Sequence, residues 1–250
     1  MLNQTFITNY EIIIIDDGST DSTTDIVNDI ISHNPDSNFI LIKQPNKGAA
    51  AARNAGMKCA SNEWIAFLDS DDEWLPTKIE RQIDCIKRNP EIDFIGTEKL
   101  GHITHIFGKK KVGLSKISLK EQFIKWYPST PTYLFKRSII NEIGYMDETL
   151  KYAEDLEFLM RILSSYSCWF LAEPLIICDS GNPSFGFSGL SKNLKGMQIG
   201  QRHVIHLALM KGILSPLEFL LARLYAEIKY VRRIMKTKVF HFKYRIRSHK

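Results

Sequence analysis

The sequence predicts an α/β protein in which a mostly parallel central sheet is flanked by helices. In the first hundred residues, strand and helix patterns alternate strictly, which is typical of βαβ units. The first strand, at residues 11–15, is a nearly continuous β-branched run, as in strands buried on both faces. With 250 residues, 44% of them hydrophobic, the chain can bury one substantial core.

The individual elements follow from local patterns. Strands are predicted at residues 11–15, 39–42, 64–68 and 93–96, and helices at about 26–31, 48–60 and 75–86. Thr20 or Asp21 is expected to cap the first helix, and Pro76 is expected in the first turn of the third. The alternating order predicts one sheet whose strands carry their loops on one edge.

Carboxylates crowd the ends of two predicted strands. Asp16 and Asp17 follow the first strand, and Asp69, Asp71 and Asp72 follow the third. In open α/β sheets, ligands bind outside the carboxyl ends of the strands. Crowded carboxylates repel each other unless a cation holds them together, and Mg²⁺ and Mn²⁺ prefer oxygen ligands completed by substrate phosphates. The pattern therefore predicts a divalent metal site.

Four segments resemble one known family, in that family's order. They read "IIIIDDGSTDST", "NKGAAAARNAGM", "FLDSDDEW" and "IGYMDETLKYAEDLEFLMRIL", and the resemblance covers about residues 9–180. Together they resemble the family 2 glycosyltransferases, whose nucleotide-sugar-binding fold is called GT-A. Each segment is a weak signal alone, but four in order are specific.

The resemblance implies a role for each matching residue. Asp155 is implied as the catalytic base and Glu154 as its neighbour on the acceptor side. Asp71, with Asp69, is implied to hold Mn²⁺ or Mg²⁺. The residues implied to bind the donor nucleotide and its phosphates are Asp16, Asp17, Gly48, Arg53 and Asp69.

The implied reaction moves a sugar, with inversion, from a nucleotide-diphosphate donor (a UDP-sugar foremost) to a saccharide or lipid-linked acceptor. The implied pathway is cell-surface polysaccharide or lipopolysaccharide biosynthesis. Two alternatives stay open. One is a phosphohydrolase of the haloacid dehalogenase type, although Glu73 stands where that family needs Thr or Val. The other is a catalytically impaired, truncated family member.

Purely structural interpretations also exist for the same residues. Asp17 before Gly18 could form a turn and a helix cap. Arg53 and Asn54 could lie on a solvated helix face. Glu154 and Asp155 could be first-turn charges favoured by the helix dipole.

The start of the chain departs from the family pattern. Members carry a strand and a helix, some thirty to forty residues, before the strand that ends in "DDGS". Here the chain begins with "MLNQTFITNYE". We therefore expect the sheet to lack a strand beside residues 12–15 and to expose an apolar edge there.

The C-terminal part is strongly basic. Residues 223–250 hold ten Lys or Arg and one acid, Glu227, which leaves a net charge of −4 for the rest of a chain of net +5. We predict a GT-A-like domain at residues 1–215 and an amphipathic, basic helical extension at 216–250. The extension is expected to meet an anionic membrane surface, with nucleic acid as the rival partner.

The remaining composition indicates a cytoplasmic protein, peripheral on the inner face of the cell membrane. No stretch of about 18 uninterrupted apolar residues predicts a membrane span. None of the four cysteines forms a C-x-x-C pair, so free thiols are expected.

Overall fold

The computed structural model describes residues 1–178 and 192–247, with side chains up to Phe240. The strands are β1 (Glu11–Asp16), β2 (Asn38–Lys43), β3 (Trp64–Ala66), β4 (Glu73–Trp74), β5 (Phe94–Lys99), β6 (His105–Ile106), β7 (Lys109–Lys110), β8 (Leu114–Lys116), β9 (Leu134–Lys136) and β10 (Cys168–Ile177). The helices are α1 (Thr23–Ser32), α2 (Ala49–Cys59), α3 (Lys78–Arg88), α4 (Leu119–Ile124), α5 (Ile139–Ile143), α6 (Glu154–Ser165), α7 (Leu194–Met210) and α8 (Pro216–Arg247).

The α/β architecture with flanking helices is confirmed, but the strand pairing is mixed. A six-stranded sheet has the order β3-β9-β5-β10-β4, and β8 also pairs with β10. Within it, only β5 and β10 run parallel; the pairs β3–β9, β5–β9, β4–β10 and β8–β10 are antiparallel. The prediction of a mostly parallel sheet was wrong because β9, a strand of three residues with little periodicity, lies antiparallel between β3 and β5, and because β4 and β8 pair antiparallel with β10.

Strands β1 and β2 form a separate parallel pair. The two carboxylate-bearing strand ends therefore do not share one hydrogen-bonded sheet, contrary to the prediction. Among the described strands, β1 pairs only with β2, and its four isoleucines are half-buried rather than buried on both faces. Helix α2 provides cover, since a Cβ at Gly56 would lie 3.7 Å from Ile15 Cγ1.

Two predicted helix starts are corrected by local hydrogen bonds. The N-cap of α1 is Ser22, and Asp21 instead accepts a bond from Thr23 N at 3.0 Å. Pro76 lies before α3, which begins at Lys78. Leu75 N donates to Leu175 O at 2.9 Å, which prolongs the contact between β4 and β10, and Lys78 N donates to Leu75 O at 3.0 Å, which puts Pro76 in a turn before the helix.

An aromatic core joins the sheet to α6. The ring of Phe135 on β9 lies 5.3 Å from Phe67 and 5.9 Å from Phe158, both nearly edge-on, a favoured arrangement. Phe67 is two residues before Asp69, and Phe158 is one turn after Glu154. The same buried rings therefore hold in place both segments that carry candidate acids.

The C-terminal helices pack against each other. Ala222 and Ala226 of α8 are buried in a cluster with Val204, Ile205 and Ala208 of α7. Helix α8 begins at Pro216, where the predicted extension begins; the division into two domains stays a prediction. Within residues 1–178 and 192–247, no helix combines the length and apolar character needed to cross a bilayer.

Candidate active site

Arg53 is the hub of the candidate site. Its Nη2 lies 2.8 Å from Asp69 Oδ1, and its Nη1 lies 3.2 Å from Glu154 Oε1. Burial alone would lower the pKa of Arg53, but nearby carboxylates, Asp69 foremost, outweigh it and raise the pKa. A fixed guanidinium thus joins the end of β3 to the start of α6 across α2. The interpretation of Arg53 as part of a solvated helix face was wrong.

Glu154 is a buried carboxylate whose pKa lies near neutral pH. Its side chain is 8% exposed. Burial, and then the charge of Asp155, raise the pKa of Glu154 to about 7, although Arg53 opposes the shift. Glu154 is also the first residue of α6, as the first-turn interpretation predicted. The helix start favours negative charge there, and the acceptor-side role of Glu154 stays a prediction.

Asp155 is held in a defined orientation. Its Oδ2 accepts a hydrogen bond from Thr130 Oγ1 at 3.2 Å, and its Oδ1 accepts one from Leu156 N at 2.8 Å. Thr130 belongs to a single 3-10 turn, Thr130–Thr132, that precedes β9. Sequence reasoning missed Thr130, because nothing in "YPSTPT" distinguishes one hydroxyl from the others.

Asp69 and Asp71 lie in a turn after β3. Asp72 N donates to Asp69 O at 3.1 Å, which closes the turn. Asp71 is exposed, and Asp69 is partly exposed while it pairs with Arg53. Within the described part of the chain, no three His, Cys, Asp or Glu side chains form a group that could hold a metal ion by themselves. The turn offers two carboxylates, which is the donor set expected where substrate phosphates complete the coordination.

Asp16 and Asp17 organise loops around the β1–β2 pair. Asp16 accepts bonds from Ser19 N and Thr24 Oγ1, and these, the backbone bond first, lower the pKa of Asp16 to about 2. Asp17 accepts bonds from Gln44, Lys47 N and Gly48 N, the last at 2.8 Å. Asp17 therefore ties together the loop before α2, which carries Arg53. It does not cap α1.

Asn54, next to Arg53, is 2% exposed and locks a second segment. Its side chain exchanges hydrogen bonds with Met146 N and Met146 O at 2.9 Å each, and donates to Glu148 at 2.8 Å. The solvated-face interpretation was therefore wrong for Asn54 too. Helix α2 thus directs Arg53 toward the acids and Asn54 toward the segment that leads into α6.

Helix α7 packs closely against the residues just before Glu154. A Cβ added at Gly200 would lie 2.4 Å from Tyr152 O, and one at Gly196 would lie 2.4 Å from the Tyr152 ring. Ala153 follows in a left-handed conformation, with φ of 67°. The two glycines, four residues apart on one helix face, were a visible signal that sequence reasoning did not use.

Glu154 and Asp155 of α6 line one large cavity. Arg53, Asp69, Thr130, Glu154 and Asp155 line a space of about 2480 Å³ that continues along the segment after α4 to helix α8. Asp16, Asp17, Gly48 and Asp71 are not among its lining residues. The predicted site residues thus separate into a cavity group and a loop group, connected through α2.

The family of the chain follows from a comparison with family models. The model described as glycosyl transferase family 2 matches residues 1–144, more than half of the chain. The chain belongs to this family. Membership leaves no support for the phosphohydrolase alternative.

Curated relatives of this family 2 chain include glycosyltransferases of known and unknown specificity. It is 30% identical over 198 residues to UDP-Glc:alpha-D-GlcNAc-diphosphoundecaprenol beta-1,3-glucosyltransferase WfgD of Escherichia coli, covering 77% of this chain and 75% of that protein. It is 28% identical to an uncharacterized glycosyltransferase of Haemophilus influenzae, covering 71% of this chain and 60% of that protein. It matches 31% of the length of the E. coli glucosyltransferase WfaP, at 55% identity over 83 residues.

Solved structures share the GT-A fold with this chain. S. aureus TarS 1-349 in complex with UDP-GlcNAc superposes with a TM-score of 0.61 at 22% identity, covering 83% of this chain and 60% of that one. The mannosyltransferase PcManGT from Pyrobaculum calidifontis, in complex with GDP-Man and Mn2+, gives 0.64 at 16% identity, covering 95% and 67%. At these identities the likeness establishes the fold.

Proposed function

We propose that this protein transfers a sugar from a UDP-sugar to a lipid-linked saccharide acceptor. The observation that carries the proposal is the convergence of Arg53, Asp69, Glu154 and Asp155 on one cavity in a family 2 chain. The relative WfgD is named as a glucosyltransferase that uses UDP-Glc and a diphosphoundecaprenol-linked sugar, which supports this choice of donor and acceptor class.

Asp155 acts in this proposal as the catalytic base. It removes the proton from the acceptor hydroxyl as that oxygen attacks the anomeric carbon, and single displacement inverts the anomeric centre. The hydrogen bond from Thr130 directs one carboxylate oxygen, and Leu156 N holds the other. Glu154, fixed by Arg53, provides the second carboxylate on the acceptor side.

Asp69 and Asp71 are proposed to hold Mn²⁺ or Mg²⁺ against the donor diphosphate. Their hard oxygen atoms fit this ion, and PcManGT is described with Mn2+. Such an ion supplies Lewis-acid stabilisation of the leaving diphosphate. Arg53, beside Asp69, adds a fixed positive charge near the same phosphates.

The donor nucleotide is proposed to lie at the loop group. Asp17 accepts a hydrogen bond from Gly48 N at the start of α2, where φ is 90° and the space that a Cβ would occupy is open. Asp16 and Asp17 lie at the end of β1, the position where ligands bind in α/β sheets. The base and ribose would meet these two residues.

The setting proposed for this reaction is the cytoplasmic face of the cell membrane, in polysaccharide or lipopolysaccharide synthesis. Helix α8 carries cations and exposed apolar side chains that suit an anionic membrane surface. A lipid-linked acceptor would be reached from the same surface.

Calorimetric titration of UDP with and without Mn²⁺ tests the donor site. The parent should bind UDP more tightly with Mn²⁺, and Asp71→Ala should lose this gain while its melting temperature stays unchanged, because Asp71 is exposed. Asp36→Ala, which removes an exposed carboxylate after α1, is the matched control. Metal-dependent UDP binding that survives in Asp71→Ala would contradict the metal role.

A further inference from the structure

Two lysines lie at the C-terminal end of α4 without a carboxylate partner. Lys229 Nζ donates to Ile124 O at 2.9 Å, and Lys125 follows Ile124 directly. Within the described residues, neither lysine has a carboxylate oxygen within 4.0 Å. Each ammonium carries three donors. Lys229 uses one of them on the carbonyl and lies 4.8 Å from the centroid of a tyrosine ring on its own helix. Lys125 donates over long distances to Ile103 O at 3.5 Å and to Thr104 Oγ1 at 3.4 Å, so both lysines keep a donor for a ligand.

Burial partly desolvates both lysines, and a further cation lies near Lys229. Burial lowers the pKa of Lys229 to about 8, and Arg233 adds to the shift. Burial also lowers the pKa of Lys125; the buried carboxylate of Glu98 opposes this, and Lys99 reinforces it. Uncompensated charge in such a place is costly, and an incoming anion relieves it.

The lysines share the cavity that contains Asp155. Residues 125–130 line one wall and connect Lys125 to Thr130, whose hydroxyl bonds Asp155. Five residue steps span at most about 18 Å. A sugar, a diphosphate and a lysine side chain together can bridge such a span.

Helix α8 adds an apolar stripe to the same cavity. We define the α8 apolar stripe as Leu221, Leu224, Ile228, Val231 and Met235, all lining the cavity and all more than half exposed. Their spacing of three and four residues puts them on one helix face. Leu217 and Leu220, equally exposed on α8, are not among the lining residues.

We propose that Lys125 and Lys229 bind the diphosphate of a polyisoprenoid-linked acceptor, whose hydrocarbon chain lies along the α8 apolar stripe. Charge complementarity selects a diphosphate for the lysine end, and the exposed aliphatic side chains select a hydrocarbon for the other. The inference rests on the proposed function for the orientation of the acceptor, with its sugar toward Asp155. The donor nucleotide stays on the Asp16, Asp17 and Gly48 side of α2, and its diphosphate and sugar reach this cavity only at Arg53 and Asp69.

Calorimetric titration with farnesyl diphosphate and with inorganic pyrophosphate, both without added metal, tests the site. Lys125→Gln and Lys229→Gln should each weaken farnesyl diphosphate binding about tenfold or more, the size of a hydrogen bond to a charged group. Lys125→Arg, which keeps the charge, should retain most of the affinity. Lys116→Gln, on β8 and outside the cavity lining, should bind like the parent.

The hydrocarbon part is tested separately. Leu224→Gln with Ile228→Gln should weaken binding of farnesyl diphosphate and leave that of pyrophosphate unchanged. The matched control is Leu217→Gln with Leu220→Gln, on the same helix but outside the cavity lining, which should change neither. Equal parent affinity for pyrophosphate and farnesyl diphosphate would overturn the hydrocarbon assignment.

Three further outcomes distinguish the acceptor site from the proposed donor site and from a role of the lysines in membrane binding. A parent that binds UDP with Mn²⁺ but not farnesyl diphosphate overturns the inference alone. A parent that binds farnesyl diphosphate through both lysines but never UDP supports the site and overturns the proposed donor. If the lysine variants lose binding to phosphatidylglycerol vesicles yet bind farnesyl diphosphate normally, the lysines serve the membrane surface and the acceptor site is wrong.

Discussion

Among single residues, Arg53 fixes the positions of two candidate acids, Asp69 and Glu154. Its two nitrogens hold Asp69 and Glu154 in one ionic group, although these residues lie on different elements. Removal of either carboxylate would leave a largely buried guanidinium with one partner fewer, which is costly. The acids are therefore best tested with amides of the same shape, which keep hydrogen-bonding capacity and volume.

Asp155→Asn should nearly abolish sugar transfer and spare donor binding. An amide cannot take the acceptor proton, and loss of a positioned base typically costs about 10²–10⁴-fold in rate. The measurement pairs transfer to a lipid-linked acceptor with UDP-sugar titration. Full transfer in this variant would move the base to Glu154, whereas a large loss of donor affinity would place Asp155 on the nucleotide side.

Glu154 should make stability pH-dependent. Its pKa is raised from 4.5 to about 7 by burial, so the folded protein keeps a proton that the unfolded chain loses. The contribution of Glu154 to stability is thus full below about pH 4.5 and falls as the pH rises through 7. The free energy of unfolding of Glu154→Gln should therefore rise relative to that of the parent, by up to about 3 kcal/mol, as the pH rises from 5 to 8. Urea unfolding across this range is the measurement; parallel stability curves would refute the shift.

Among the secondary-structure elements, contacts between helices and loops position the candidate catalytic residues. Helix α2 starts at the loop tied by Asp17, presents Arg53 to the acids and anchors residues 146–148 through Asn54. Helix α7 contacts the backbone at Tyr152 through Gly200. Neither contact involves a reacting atom, yet both set where α6 begins. Their loss should therefore affect transfer through position.

Gly200→Ala should destabilise the fold and reduce transfer. The added Cβ would lie 2.4 Å from Tyr152 O, so backbone must shift next to Glu154. Such overpacking typically costs about 1–3 kcal/mol. Gly56→Ala on α2 is the control: its Cβ would meet only Ile15 at 3.7 Å, so the better helix propensity of alanine should leave stability equal or higher. Thermal melts of both variants give the answer, and a destabilised Gly56→Ala beside an unchanged Gly200→Ala would contradict it.

At the scale of the whole molecule, charge and apolar surface concentrate on α8. Ten of the 33 Lys and Arg residues fall within residues 223–250. One face of α8 packs on α7 through Ala222 and Ala226, while aliphatic side chains remain exposed on another. This division leaves a cationic, apolar surface that lines the cavity, where the proposed lipid-linked acceptor would approach.

Replacement of Arg232, Lys236 and Lys238 by Gln should weaken binding to anionic vesicles. All three are exposed, and each cation near such a surface contributes about 1 kcal/mol, so the combined loss is about 100-fold. The control replaces Lys43, Lys58 and Arg88, which are exposed elsewhere on the body. Vesicle co-sedimentation at low and high salt is the assay; equal losses in both triple variants would show that only total charge matters.

Much of the first half was predictable because its signals are local. The β-branched run of β1, the alanine-rich α2 and the Asp-rich end of β3 lie in short windows whose pattern specifies the element. The same windows contain Asp16, Asp17, Arg53, Asp69 and Asp71, and their resemblance to family 2 glycosyltransferases implied a nucleotide-sugar enzyme. Strands of two or three residues, such as β4, β8 and β9, carry too little periodicity to be predicted.

Residue identity and spacing along the chain were enough to indicate the family and the residues that carry its motifs. The mixed pairing of the sheet, the ion pairs of Arg53, and the separation of Asp17 and Gly48 from the cavity depend instead on how the chain folds. The fold also joins Asp155, Lys125 and α8 in one space. These features depend on contacts between distant residues, such as Arg53 and Glu154, which are 101 positions apart, and no local pattern encodes which distant partner a side chain will meet.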